Sequence, residues 1–480
     1  MSYNKTLLSL TFLALLAGLF AYVLIRAHSL SFTHDESLSY TIIKGNQLWA
    51  VSANNHKMNT FLMDVCSRNF GDQEWSLRLP NVLAFLLYGV FAFLLLKDSR
   101  QPLLMFFGAA LLLFHPFLLD FFSLARGYGL SLGCMMVSLY FFLRRTIRQY
   151  SYATFIIDFQ CAIVFAILAI LANLSMVNFF IAILGVFVLQ YLVLAFRHLK
   201  ISLRQHLAFL SLLILAGFLF KEASALLFEL HKADQLYVGE KSLEASLDAL
   251  IKSILYLSSY SVGVASLAKY SIIAILLGGL ATVAFQRFLD SRLYKILGVT
   301  LLIILGFVLE HHLFGANYPV ERTALMFIPL FGLTLHCMCA DWYEGLRPKF
   351  KIAYLAMLAL LILLPITFHF ASNLSWKYTC LWQYDAHTKD AVLLLEKLPA
   401  EADRQLSISN SALFEPAINY YLETRKIIHI ARATRDPLNV NADFIYDFQE
   451  NQALPADLQR IAEFEDIKTV LCKGKAATDQ

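Results

Sequence analysis

Long apolar runs separated by short polar connections dominate the chain. A helix that crosses a bilayer needs roughly 20 mostly apolar residues. Runs that meet or approach this length fall at residues 7–25, 79–96, 102–119, 130–143, 155–171, 177–196, 207–220, 271–288, 296–309, 324–339 and 352–370. The pattern therefore predicts about eleven spanning helices, of which 130–143 and 207–220 are short. The first run follows Lys5 but is long for a signal-peptide core and lacks a small-residue cleavage site, so it is expected to stay as the first helix.

The connections test this list. With the N-terminus on the cytoplasmic side, alternate loops on that side carry Lys97 and Arg100; Arg144, Arg145 and Arg148; Arg197, Lys200 and Arg204; Arg287, Arg292 and Lys295; and Arg347, Lys349 and Lys351. The short opposite loops at 173–176 and 310–322 hold only Arg322 between them. This is the positive-inside bias. Three regions then face outward: the loop 26–78, the loop 221–270 and the tail 371–480. The second holds an amphipathic stretch, with Leu243, Leu247, Leu250, Ile251, Ile254 and Leu255 on one helical face, placed to lie on the interface or to gate a site.

Composition agrees. Of 480 residues, 59% are hydrophobic and 15% charged, against about a quarter charged in a soluble domain. That excludes an ordinary cytosolic enzyme, a disordered chain and a disulfide-stapled scaffold. A net charge of +4 is too small to argue for a nucleic-acid partner. The tail departs from the rest: it holds 12 Lys/Arg and 16 Asp/Glu, roughly twice the charge density of the remainder. Helical patterns at 390–398 and 413–422 alternate with strand-like segments at 406–409, 427–430, 443–446 and 469–472, which predicts a small α/β domain. Cys380 and Cys472 would bridge only if both face an oxidising compartment. The fold class is thus an α-helical polytopic membrane protein, residues 1–370, followed by a small extracytoplasmic α/β domain, 371–480.

Polar side chains with chemical potential gather at the outer ends of the spans. Thr33-His34-Asp35-Glu36 stands just beyond the first helix: a carboxylate there suits proton abstraction from a hydroxyl or a divalent cation held near Asp35 and Glu36, and equally suits a helix N-terminus. Asn55 and His56 offer polar pocket walls or a solvated turn. Arg78 opens the second span, to meet a lipid phosphate or an acid. Arg126, followed by Gly127-Tyr128, breaks the positive-inside trend, and positive charge beside hydrocarbon needs a partner or a function. Asp120 offers a structural pair; a phosphate head group offers a function. Arg322 repeats the anomaly, with Glu310, His311 and His312 at the other end of its loop. Opposite charges on one side of one membrane suit a reaction on a lipid-linked phosphate ester.

In order and topology, Asp35-Glu36, Arg78-Leu79-Pro80, Ala125-Arg126-Gly127-Tyr128 and the late Arg322 resemble the polytopic GT-C glycosyltransferases, over roughly the first 340 residues. Among these the similarity is to protein O-mannosyltransferases, the lipid A aminoarabinose transferase and glycosyltransferase family 39. The resemblance implies a polyprenyl-phosphate-sugar donor, a hydroxyl acceptor on lipid, glycan or protein, inversion at the anomeric carbon, and work at the outer face of a bacterial inner membrane. It implies Asp35 as general base with Glu36 beside it, Arg126, Arg322, Arg78 and Tyr128 around the donor phosphate, and His34, Asn55 and His56 in the substrate pocket. Relatives often carry a second acid or a His-Pro-Pro motif where this chain has Asn55-His56-Lys57-Met58. Two other readings compete: a lipid-linked sugar transporter or flippase, which the lack of an inverted repeat disfavours, and an O-antigen ligase-like enzyme.

Overall fold

The computed structural model describes residues 5–48, 50–52, 54–99, 101–198, 200–233, 235, 239–286, 291–399, 404–455 and 458–475. Arg100, Arg287 and the end of the predicted span at 271–288 lie outside them. Each of the eleven predicted spans overlaps an apolar helix among the described residues. Nine helices among the described residues are long and apolar enough to cross a membrane, and two shorter ones, Pro102–Leu113 and Gly127–Leu143, accompany them.

In chain order, α1 (Lys5–Ser29) is followed by two helices of the first long loop, α2 (His34–Lys44) and α3 (Lys57–Phe70), and by α4 (Glu74–Leu96). Then come α5 (Pro102–Leu113), the short α6 (Pro116–Asp120), α7 (Gly127–Leu143), α8 (Tyr152–Ala172), α9 (Val177–Val193) and α10 (Leu203–Lys232). α11 (Leu243–Ile254), α12 (Val262–Gln286), α13 (Arg292–Phe314) and α14 (Phe327–Gly345) follow, with α15 (Pro348–Leu358) and α16 (Leu364–Ser372) joined by a π-helical turn at Ala359–Leu363. That turn lies just before Pro365, whose missing N–H takes one bond from the ladder.

Three departures from the pattern have physical causes. The span expected over 102–119 breaks before Pro116, which cannot donate to the preceding turn, so α5 and α6 are separate. α10 runs past residue 220 to Lys232, because a helix closes its own backbone hydrogen bonds whether or not its side chains are polar, and Leu226 and Leu230 remain buried. α12 begins at Val262, so the outer loop expected over 221–270 shrinks to the segment around α11. There Lys269 pairs with Glu244 and Asp248 of α11 at 2.7 and 2.9 Å.

At the centre, α7 packs between α4 and α8, α8 on α9, α9 on α13 and α13 on α14. The first residue of α7, Gly127, meets the end of α8 so closely that a Cβ there would lie 1.8 Å from the Ala172 carbonyl oxygen and 2.8 Å from Cβ of His56. This contact brings Arg126 and His56 to the same level.

The tail forms α17 (Thr388–Glu396), β1 (Ile408–Asn410), α18 (Glu415–Thr424), β2 (Phe444–Phe448), β3 (Arg460–Phe464) and β4 (Thr469–Lys473), with sheet order β1-β2-β4-β3. β1 and β2 run parallel, with α18 in the crossover; β4 is antiparallel to both neighbours. The segment at 427–430 contributes only the isolated bridge Leu406–Ile430, whereas β3, a largely exposed edge strand, carries no apolar alternation to announce it. Cys380 and Cys472 are free thiols, Cys380 lying beside Asp120 and Cys472 in β4, so the conditional bridge between them is not formed. The tail docks on the first long loop and the start of α4. Phe32 stacks on Tyr420 at 4.0 Å and donates its N–H to the Tyr421 hydroxyl at 2.7 Å, and Lys389 pairs with Glu74 at 2.7 Å.

Candidate functional site

α2 begins with a capping box. The Thr33 hydroxyl accepts from the Glu36 N–H, and Glu36 Oε2 accepts from the Thr33 N–H at 3.0 Å. This turn sends Glu36 inward and Asp35 towards the residues that precede α7 and α14. Glu36 meets Arg78 in a two-pronged pair: Nε to Oε1 at 2.8 Å and Nη2 to Oε2 at 2.7 Å, both side chains fully buried. The remaining Arg78 donors go to the carbonyls of Ala27, Leu30 and Ser31 at 3.1, 2.9 and 2.8 Å. All five guanidinium donors are thus occupied. Oε1 of Glu36 also accepts the Ala125 N–H at 2.6 Å. The expected contact of Arg78 with a donor phosphate therefore has no free donor to make it, and Glu36 has no oxygen turned to a substrate.

Asp35 is arranged differently. Its Oδ2 lies 3.4 Å from Arg126 Nη2 and 3.6 Å from Arg322 Nη2, and accepts no hydrogen bond although it is buried. Arg126 is held from behind. Nη1 donates to the Asp35 carbonyl, the Ser39 hydroxyl and the Asn54 carbonyl, and Nη2 to Asn54 Oδ1, at 3.1–3.2 Å, while Nε has no partner. Arg322 lies over the Trp382 ring, 5.4 Å from its centroid. Asp120 does not pair with Arg126: it accepts from Arg26 at 2.6 Å and from the Cys380 N–H at 2.7 Å, tying α1 and α6 to the tail.

These groups sit at one end of a cavity of about 460 Å³. His34, Asp35, Asn55, His56, Arg126, Tyr128 and Arg322 all line it; Glu36 and Arg78 do not. Its lining also includes Ile170, Leu171, Leu226, Leu227, Leu230 and Phe307, apolar side chains of α8, α10 and α13. Tyr128 stands edge-on to the His56 ring at 4.9 Å. His34 turns Nδ1 to the Leu413 carbonyl at 2.8 Å and gives its N–H to Asp385 at 2.7 Å. Asn55 uses its amide to hold the loop, donating to the carbonyls of Leu48 and Ala50.

The charges set the protonation states. Burial works against ionisation of Asp35, but Arg126 and Arg322, with His34 and the Trp382 side chain assisting, hold its pKa below the ordinary 3.8. His56 is driven well below 6.5 by burial and then by the same two arginines, so it is a neutral imidazole, with Nε2 unpartnered. Burial pushes Asp385 well above 3.8, and the nearby Asp35 and Glu36 push the same way.

A divalent cation beside Asp35 and Glu36 would meet two guanidiniums and a carboxylate already engaged by Arg78. Among the described residues no three His, Cys, Asp or Glu side chains gather as metal ligands. This donor set does not fit such an ion.

Solved structures decide the fold. The chain aligns over 97% of its length with 97% of ArnT from Cupriavidus metallidurans bound to undecaprenyl phosphate, with TM-score 0.54 and 13% identity. The chain has the GT-C glycosyltransferase fold. Against the apo state of the same protein the GT-C match covers 98% of this chain and 99% of that one, with TM-score 0.52 and 12% identity. It extends through the tail, beyond the first 340 residues reached by the sequence motifs. No protein-family model and no curated protein matches the sequence. Within this GT-C fold, the stretch from Asn54 to Asn59 does stand at the site, where Asn54 holds Arg126, but sequence reasoning gave Trp382 and Ser39 no role. A tryptophan and a serine carry no local signal; only the docking of the tail and the turn of α2 bring them to the arginines.

Proposed function

We propose that the chain is an inverting membrane glycosyltransferase that moves a sugar from a polyprenyl-phosphate donor to a hydroxyl acceptor on a lipid, glycan or protein. The observation that carries this reading is the buried, unbonded Asp35 oxygen facing two arginines at the polar end of a cavity whose other wall is apolar. The size of that cavity falls within the range of small-molecule sites. The undecaprenyl phosphate bound by the GT-C neighbour supports a lipid-phosphate ligand.

In this reading the lipid tail enters along the groove between α8, α10 and α13, and the donor phosphate lies against Arg126 and Arg322. Asp35 takes the proton of the acceptor hydroxyl as that oxygen bonds to the anomeric carbon. The bond from that carbon to the phosphate oxygen breaks, and its electron pair stays on the lipid phosphate. The two guanidiniums face the charge that grows there, so they act more strongly in the transition state than in the ground state. An arginine fork suits two phosphate oxygens. A bound phosphate also draws the guanidinium charge away from Asp35, which raises its basicity when the donor is in place. Attack opposite the departing phosphate gives inversion.

The site lies on the side of the bundle that carries few Lys and Arg in its short loops. The reading therefore puts the N-terminus in the cytoplasm of a bacterial cell, the chain in the inner membrane, and the site and tail outside. Purified protein given polyprenyl-phosphate sugars should release free lipid phosphate in step with acceptor glycosylation. Movement of intact donor across liposomes, with no bond broken, would contradict the proposal.

A further inference from the structure

The cavity has a second wall that the reaction above does not use. Glu310 lies in the last turn of α13 and lines the cavity, as does Asn178 in the first turn of α9. Asn178 is 5% exposed and donates its Nδ2 to Glu310 Oε2 at 3.0 Å. Gly306, one turn earlier on α13, makes room for that amide: a Cβ there would lie 2.6 Å from Asn178 Oδ1. The amide is thus locked in orientation, and it fixes the carboxylate in turn. Among the described residues Glu310 forms no ion pair, and its neighbour His311 is turned away to the Ala316 carbonyl.

A carboxylate without a cation, at the end of an apolar helix, is costly unless something else solvates it. Burial of polar groups is tolerated when hydrogen bonds replace water. Asn178 supplies one such bond; Glu310 has capacity for more, since an ionised carboxylate accepts at both oxygens. Phe307, one turn earlier on α13, lines the same cavity. Arg126 and Arg322 enter the cavity from α7 and from the turn before α14, whereas Glu310 and Asn178 enter it from α13 and α9.

We infer that Glu310, oriented by Asn178, forms the subsite for the hydroxyl groups of the donor's sugar. This rests on the donor reading given above and adds a residue that selects the transferred group. The chemistry is that of a polyol: hydroxyls donate to a fixed carboxylate while the phosphate is held by the arginines. A hydrogen bond to a charged group, lost with the partner left in place, corresponds to roughly 10- to 100-fold in affinity.

The test compares two ligands by equilibrium binding to the full chain in lipid nanodiscs: undecaprenyl phosphate, and undecaprenyl phosphate carrying a neutral hexose. For the unsubstituted chain the sugar-bearing lipid binds more tightly. Glu310→Ala weakens that ligand roughly 10- to 100-fold and leaves undecaprenyl phosphate within about 3-fold. Asn178→Ala, which leaves the carboxylate but frees its orientation, gives a smaller loss in the same ligand alone. Equal affinities of the two ligands for the unsubstituted chain, equal weakening of both in Glu310→Ala, or no weakening of either overturns the subsite. Failure of the unsubstituted chain to bind either lipid would instead defeat the donor reading itself, and the subsite with it.

Discussion

Two acid–arginine groups begin at adjacent positions of α2 and end in opposite arrangements. Glu36 accepts from Arg78 at 2.8 and 2.7 Å and from the Ala125 N–H, and every donor of Arg78 is satisfied. Asp35 stands 3.4 and 3.6 Å from two arginines, beyond good hydrogen-bond distance, and one oxygen is left without a partner. The first group is complete without a ligand and ties α1, α2, α4 and the start of α7 together. The second is incomplete: Asp35, Arg126 and His56 line a cavity, and each keeps a buried polar atom without a hydrogen-bond partner. Saturation of hydrogen bonds, more than charge or burial, separates the structural pair from the one suited to chemistry.

The contrast breaks most sharply at Asp35. Asp35→Asn keeps size and polarity but removes the carboxylate proposed as base, and transfer should fall by about 10²- to 10⁴-fold while the chain still folds; steady-state turnover and a thermal melt check both halves. Glu36→Gln leaves the Arg78 charge buried and unpaired, so unfolding in denaturant should show a loss of about 3–5 kcal/mol. An Arg322→Gln chain should fold but lose about 10²- to 10³-fold in turnover, the scale of one lost transition-state donor.

The same Arg322→Gln variant sharpens the electrostatics. In the native chain the Asp35 carboxylate persists down to a pKa below 3.8, and activity that needs it is lost only as pH falls through that depressed value. Without Arg322 the pKa rises, so the acid limb of kcat/KM against pH should move upward. The smallest effect is expected at Trp382, whose face supports Arg322. Trp382→Leu should weaken binding of undecaprenyl phosphate about 3- to 30-fold, while Trp382→Phe stays nearer the native value.

The span pattern and the gathering of Asp35, Arg126 and Arg322 at one end of the spans were legible because lipid demands long apolar runs and makes each exception conspicuous. The division of labour between Asp35 and Glu36 was not, since two adjacent acids look alike until a capping box turns one inward and Arg78 closes on it. Asp120 looked like the partner of Arg126 through proximity in the chain; Arg26, 94 positions away, claims it instead. The extra turns of α10 and α12 were hidden by polar side chains that a helix tolerates. Trp382 and Asp385 reach the site because the tail docks there, through the packing of Phe32 on Tyr420 and the bond of the Cys380 N–H to Asp120.

The most direct test measures turnover per folded molecule for Asp35→Asn and Glu36→Gln in one assay with a polyprenyl-phosphate sugar. The expected result is near-complete loss of turnover by well-folded Asp35→Asn, and native-like turnover by whatever fraction of Glu36→Gln folds. Native turnover by Asp35→Asn, or inactive but fully stable Glu36→Gln, would contradict the assignment of base and strut.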